Sequence, residues 1–330
     1  MPYTVNRCFE KFRKDIVDLN PAQVAEARPS RDFVLSNIVR LSGAGRLPNV
    51  ATGYCFNFGS FARRTKIRPL DDIDMMICFD GRDGVYRTVR QNERYHIVFK
   101  DGHPFFDALR NDDGETLNSR KVINQLIGAM SGVEAYSKAE LHRNQEAATL
   151  QLKSYPWNFD IVPCFYTTTG FYLIPDGQGH WKNTDPRIDR VRTMSTNQKS
   201  NGEALPLIRL MNWWKKEKWG ERVSSYMFEQ MILDCIEASP FLFTNPLQAR
   251  VQQVLLYLRD AIKNPVLDPK HIQGNLNDLD KDTRDDLSMM AFSSSLSAAQ
   301  AIKFEKEGEI QKAVNQWKLV FGDEFPSYGA

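Results

Sequence analysis

Cysteine is sparse and scattered. The five residues, Cys8, Cys55, Cys78, Cys164 and Cys235, form no CxxC pair and no His/Cys run. That excludes a sequence-contiguous zinc module, and the odd count argues against a self-contained disulfide framework, so the five are read as buried free thiols of a reducing compartment. Charge of one sign is lacking too. Lys and Arg total 43 against 41 Asp and Glu, a net of +2, so nothing global draws this chain to nucleic acid and any anion must be met by local clusters. No stretch reaches the roughly 18 consecutive apolar residues of a membrane span, and "MPYTVNRCFEKFRKDIVDL" is charged throughout without an apolar leader. The expectation is a soluble cytoplasmic protein with no membrane partner.

What is present divides the 330 residues into three stretches. Over 1–45, Val5, Phe9, Phe12, Ile16, Val17 and Leu19 recur at helical spacing, as do Phe33, Val34, Ile38, Val39 and Leu41. Two helical segments should meet near Asn20-Pro21 and stop at Ser42-Gly43. Over 46–190 the pattern is mixed. "ATGYCFNFGS", "IDMMICF", "YHIVF" and "GFYLIP" suit strands, "AATLQL" and "WNFDIVPCF" a β-hairpin, and "SRKVINQLIGAM" a helix capped at Asn118 or Ser119. "DGQGHWKNTDP" reads as a loop and His142-Arg143-Asn144 as a polar turn. From 191 to 330 the sequence turns helical, with "EALPLIRLMNWWKKEKW", "SYMFEQMILDCIEA", "PLQARVQQVLLYLRDAIK" and "AAQAIKFEKEGEIQKAVNQWKLVFG" amphipathic at helical period. Strands mixed with helices, then helices alone, predict an α+β fold: a mixed sheet followed by a helical part.

The chemistry concentrates in "FGSFARRTKIRPLDDIDMMICFD". On a strand, Asp72 and Asp74 share one face while Ile73, Met75 and Ile77 share the other. Two carboxylates about 6.5–7 Å apart repel unless a cation lies between them, and a divalent metal pair would resolve that conflict while serving phosphoryl transfer. Asp160, a single acid inside the apolar "WNFDIVPCF", supplies a third oxygen donor that is costly to bury unpaired. Gly59-Ser60, where a strand gives way to a helix, offers close backbone approach and a hydroxyl to phosphate oxygens. Arg63, Arg64, Lys66 and Arg68 add local positive charge. A DxD pair alone describes many solvated turns, and a Gly-Ser pair alone means little. The ordered set of strand, Gly-Ser, helix, Asp-x-Asp and isolated Asp points to a nucleotidyltransferase site.

This set resembles the DNA polymerase β-type nucleotidyltransferases. Within them, "GSFARRTKIRPLDDIDMMI", "FDIVPCF", "IPDGQGHWKNTDP", "LIRLMNWW", "SSYMFEQMI" and "FGDEFP" resemble the bacterial CD-NTases, the cyclic-oligonucleotide synthases related to cyclic GMP–AMP synthase. The resemblance spans essentially the whole chain. It implies a bilobal fold with a long N-terminal spine helix over 1–45, a catalytic core over 46–190 and a helical domain over 191–330. It implies that Asp72, Asp74 and Asp160 hold two Mg²⁺ ions, for which Mn²⁺ can substitute, and that Gly59 and Ser60 hold the donor triphosphate. It places Ser225 near phosphate and Tyr226 against a base, although Tyr226 read alone suits a core aromatic.

Where many relatives carry a triphosphate-binding lysine in "LxRLxKxW" this chain has Asn212, which leaves Lys215, one turn on, as the candidate nucleotide-binding lysine. The implied substrates are NTPs, ATP among them, joined with release of pyrophosphate into a cyclic di- or trinucleotide second messenger for a downstream effector in anti-phage (CBASS) defence. No zinc-binding insertion is visible, so no nucleic-acid activator is expected. The C-terminal Ala330 suits ligation by a ubiquitin-transfer-like partner, and equally an ordinary tail. A linear-product polymerase and a nucleotide-sensing scaffold are the alternatives. Tyr166, His180, Trp181, Lys182 and Asn197 are candidate base-reading residues.

Overall fold

The computed structural model describes residues 4–89, 94–239 and 241–329. In chain order the helices and strands are α1 (Val5–Phe12), α2 (Pro21–Gly43), β1 (Phe56–Phe58), α3 (Gly59–Arg63), β2 (Asp72–Cys78), β3 (Gly84–Val89), β4 (Arg94–Phe99), α4 (Ser119–Ser131), β5 (Glu140–Asn144), β6 (Ala147–Gln151), β7 (Asn158–Tyr166), β8 (Tyr172–Pro175), β9 (Trp181–Thr184), α5 (Pro186–Lys199), α6 (Ala204–Lys218), α7 (Ser225–Ala238), α8 (Leu247–Ala261), α9 (Lys281–Lys306) and α10 (Ile310–Phe321). The chain forms two compact units. One gathers the residues up to Asn20, Arg63–Pro69 and everything from Ile188 onward; the other holds Pro21–Ala62 and Leu70–Arg187.

The sheet unit is built on β7. This strand pairs in parallel with β2, and antiparallel with β6 and β8, in a mixed sheet ordered β1-β2-β7-β8-β9-β4-β3 with β5 attached to β6. Both β2 and β7 alternate at their N-terminal ends. Ile73, Met75, Phe159 and Ile161 are buried, while Asp72, Asp74, Asn158 and Asp160 are half-buried on the other face. Helix α4 starts at Asn118, whose side chain accepts from the Lys121 N–H at 3.1 Å, and its apolar stripe is buried.

Three strands depart from the sequence reading. β9 lies in the Gly/Asp/Asn-rich segment expected to be a loop. It forms because β8 offers it an antiparallel ladder and Trp181 is fully buried with its indole N–H on the Leu117 carbonyl at 2.9 Å. β5 covers the expected polar turn at 142–144; its residues stay mostly exposed because it pairs only with β6, and an exposed edge tolerates polar residues. β3, which carries no strong apolar run, is held by β4.

In the helical unit, α1 presents Val5, Cys8, Phe9 and Phe12 at i, i+3, i+4 and i+7, all buried against α6 and α10 side chains. Phe9 meets Trp317 edge-on at 4.9 Å and Phe12 meets Trp213 at 5.7 Å. A π-helical turn, Arg13–Val17, follows before Pro21 opens α2. The segment Arg63–Pro69 belongs to this unit and is heavily anchored. The Arg63 guanidinium donates to Glu229 on α7 at 2.9 and 3.2 Å, and the Thr65 hydroxyl donates to the same carboxylate at 2.8 Å. Arg209 donates to the Arg64 carbonyl, and Asn212 to the Thr65 carbonyl. Arg68 donates to the carbonyls of Lys14, Asp15 and Asp18.

The basic cluster expected between Gly-Ser and the aspartates is thus corrected in two of its members. Arg63 and Arg68 are committed to structural partners: Arg63 to a buried carboxylate that requires a donor water cannot supply, and Arg68 to three backbone carbonyls at once. Glu229 is 1% exposed, so removing its cation strands a buried charge. We expect Arg63→Ala to lower stability by about 3–5 kcal/mol. Urea unfolding of the two proteins checks this, and a loss below about 1 kcal/mol would mean that the pair is dispensable.

Candidate active site

The register of β2 and β7 assembles the acids. Asp74 is the cross-strand partner of Asp160, and Asp72 that of Asn158. The same row continues outward, with Phe58 on β1 opposite Asp74 and Thr149 on β6 opposite Asp160. Register partners point to the same face, so Asp74 and Asp160 stand side by side about 4.8 Å apart at the backbone, with Asp72 two residues back on that face. Thr149 donates its hydroxyl to Asp160 Oδ1 at 2.6 Å, which fixes the rotation of that carboxylate. Sequence reasoning missed Thr149. Once β6 and β7 are read as a hairpin, its register would have pointed to it.

Gly59 is fitted to Asp74. It opens α3 with φ +70°, and a Cβ placed there would lie 1.7 Å from Asp74 Oδ2 and 2.6 Å from its carboxyl carbon. A side chain is excluded twice, by the left-handed backbone and by the carboxylate resting on the α-carbon. Ser60, the next residue, is half-buried at the start of the same short helix. Gly59, Ser60, Asp72, Asp74 and Asp160 are therefore brought together within the sheet unit. Among the described residues, no group of three or more His, Cys, Asp and Glu side chains already stands where it could hold a metal ion.

The remaining site candidates lie in the helical unit. Ser225 is the exposed first residue of α7, while the capping role falls to Ser224, whose hydroxyl accepts from the Met227 N–H at 3.2 Å. Tyr226 is half-buried in a polar network absent from the sequence reading. Its hydroxyl lies 2.8 Å from Asp189 and 2.9 Å from Asp268, and the Lys270 ammonium contacts that hydroxyl and sits 4.1 Å from the ring centroid. Lys270 also pairs with both carboxylates, at 3.2 and 3.1 Å. Burial, reinforced by the two carboxylates, pushes the Tyr226 pKa well above that of an ordinary phenol. No motif marks Asp189 or Lys270, since they reach Tyr226 only through the fold. Lys215 is 5% exposed on α6, and burial pulls its pKa down. Asn212 donates to Thr65, and its carbonyl oxygen is buried without a hydrogen-bond partner.

The five base-reading candidates all have intramolecular work. Tyr166 stacks on Tyr54 at 4.4 Å beneath Arg187, and His180 stacks on His96 at 5.1 Å. Trp181 is core, Lys182 pairs with Glu146 at 2.6 Å, and Asn197 accepts from the Leu205 N–H at 3.1 Å.

No family model matches the chain. It is 40% identical over 338 residues to a probable cyclic nucleotide synthase of Bacillus cereus (strain VD146), covering 99% of both chains. It is 27% identical over 285 residues to the cyclic AMP-AMP-AMP synthase of Acinetobacter sp. (strain ATCC 27244 / 9458), covering 83% of this chain and 73% of that one. Among solved structures, CdnC of E. coli MS115-1 with ATP superimposes with a TM-score of 0.73 at 15% identity, over 99% of this chain and 100% of that one. Apo DncV of Vibrio cholerae gives 0.61 at 13% identity, over 83% and 69%. At that identity the structures speak for the fold, and the Bacillus relative, matched end to end, for the family. The chain belongs to the bacterial CD-NTases, the cyclic-oligonucleotide synthases.

Proposed function

We propose that this synthase joins NTPs, ATP among them, into a cyclic di- or trinucleotide second messenger by metal-dependent attack of a 3′-hydroxyl on an α-phosphate, with pyrophosphate leaving. The observation that carries this reading is the seating of Asp74 against Gly59, directly beside Asp160. Asp72, Asp74 and Asp160 would hold two Mg²⁺ ions, with Mn²⁺ a substitute. Their donor chemistry fits, because Mg²⁺ is usually bound by a few carboxylates completed by water and substrate phosphate rather than by an all-protein cage. When bound, such ions would acidify the attacking hydroxyl and steady the charge of the triphosphate.

The chain's own residues do the rest. Gly59 lets the backbone approach the donor phosphates, and Ser60 donates its hydroxyl to them. Asp160, oriented by Thr149, accepts the proton of the attacking hydroxyl. Ser225 meets phosphate, and the Tyr226 ring, held by Asp189, Asp268 and Lys270, stacks on a base. Lys215 would need to leave its buried position to reach phosphate, which makes it the weakest member of the set. ATP is favoured as a substrate by the name of the Acinetobacter relative and by the ATP in the CdnC structure. A further CdnC structure, in complex with HORMA-deltaN, favours a protein partner for this chain as well. The product would feed an effector in cytoplasmic anti-phage defence without a nucleic-acid activator. Ala330, the residue offered to a ubiquitin-transfer-like partner, lies outside the described residues. No helix among the described residues is long and apolar enough to cross a membrane.

Incubation with all four labelled NTPs and Mg²⁺ or Mn²⁺, phosphatase treatment and mass spectrometry test the reading. A phosphatase-resistant product that disappears with EDTA and in Asp72→Asn/Asp74→Asn is the expected outcome. Phosphatase-sensitive products alone would instead make the enzyme a linear polymerase. Gly59→Ala should cut kcat by about 100-fold or more, since it must displace the Asp74 carboxylate by more than 1 Å, with the melting temperature measured alongside. Tyr226→Phe keeps the ring but leaves buried carboxylates short of a donor. It should cost about 1–3 kcal/mol of stability with KM little changed, whereas Tyr226→Ala should raise KM; steady-state kinetics and urea titration separate the two.

A further inference from the structure

The register that pairs Asp74 with Asp160 also pairs Cys78 with Cys164, four residues further along the same two strands. Both cysteines therefore point to the acid-bearing face, about 13 Å from the acids. Cross-strand partners have α-carbons about 4.8 Å apart, inside the roughly 4.4–6.8 Å span of a disulfide, so the α-carbon spacing that a bond between the two sulfurs needs is met. The neighbouring Cys164 thiol holds the Cys78 pKa below that of an ordinary thiol, while burial pushes Cys164 up; the Cys78 thiol itself contacts the Phe79 carbonyl at 3.7 Å. Cys55 completes the group but is turned elsewhere. Its sulfur accepts from the Cys78 backbone N–H at 3.4 Å and contacts the Ala51 carbonyl at 3.8 Å, and burial raises its pKa.

A cavity of about 900 Å³ lies beside the pair within the sheet unit. Cys78 forms part of its wall together with Tyr54, Phe79, Phe165 and Tyr166. Cys164 is fully buried among Met76, Val162 and Tyr172 and does not line that cavity. Cys78 is itself only 1% exposed, so it stands in the wall of that cavity with Cys164 behind it, and a small oxidant has to enter through that wall.

We propose that Cys78 and Cys164 are a modification site: a thiol pair that a hydroperoxide closes to a disulfide in the folded protein. The Cys78 sulfur attacks the outer peroxide oxygen, the O–O bond breaks, and water or an alcohol leaves, so that Cys78 becomes a sulfenic acid. The Cys164 sulfur then attacks the Cys78 sulfur, the S–O bond breaks, and the hydroxyl leaves as water with the thiol proton. Two thiols are oxidised by two electrons and one hydroperoxide is reduced. The bond would staple β2 and β7 together beyond the three acids that they carry.

The test treats the native full-length chain with hydrogen peroxide, blocks remaining thiols under denaturing conditions, and maps the linked peptides by mass spectrometry. The expected result is a Cys78–Cys164 cross-link that dithiothreitol reverses and that Cys55→Ala leaves intact. In Cys164→Ala, a sulfenic acid at Cys78 should persist and be trapped by a dimedone-type probe. If that variant fails to fold, the wild-type cross-link map decides alone. The proposal is overturned if Cys78 links to Cys55 instead, or if Cys78 and Cys164 are consumed only after urea has opened the protein.

Discussion

Everything proposed for the catalytic face depends on the parallel pairing of β2 with β7. A slip of one residue would carry Asp74 away from Asp160 and turn one strand's polar face toward the core. The register is held by what lies beneath it. Ile73, Met75, Phe159 and Ile161 are almost wholly buried on the opposite face, so exposing them would cost more than any rearrangement of the acids could return. The hydrophobic face therefore positions the polar one. Thr149 and Gly59 then refine it, the first by a hydrogen bond to Asp160 and the second by having no side chain beneath Asp74.

Positive charge is distributed differently from what the run Arg63, Arg64, Lys66 and Arg68 suggests. Arg63 neutralises a carboxylate with almost no exposure, and Arg68 ties three carbonyls near the end of the π-helical turn. A guanidinium suits both tasks, because its planar fork satisfies several acceptors at once and keeps its charge when buried. The short linker between the Gly-Ser helix and the Asp strand is consequently a fixed part of the helical unit. Tyr226 follows the same logic. Two buried carboxylates and a buried ammonium close on its hydroxyl, so the ring has little freedom to turn.

Legibility followed the size of the local signal. The cap at Asn118, the amphipathic α1, the apolar β2 and the β6–β7 hairpin each carry their pattern within a dozen residues, and each formed where expected. β5, β9 and the first half of α9 did not show themselves, for a common reason. Their residues are polar or turn-forming, and what holds them in place is pairing or packing with a neighbouring element: β5 on β6, β9 on β8 and β4, and α9 against α8 and α10. The resemblance of the Gly-Ser and Asp-x-Asp motifs reached the family because motif residues keep their order and spacing along the chain.

The order of residues alone determined the α+β class, the alternation that puts Asp72 and Asp74 on one face, and the requirement for a small flexible residue at position 59. These follow from periodicity and backbone sterics, which are local. Only the tertiary structure decided which residues stand opposite one another: Asp74 with Asp160, Cys78 with Cys164, Arg63 with Glu229, and Tyr226 with Asp189, Asp268 and Lys270. Such pairings depend on strand register and helix packing across roughly 40 to 170 positions of chain. They are selected by the burial of the whole core, which no window of sequence contains.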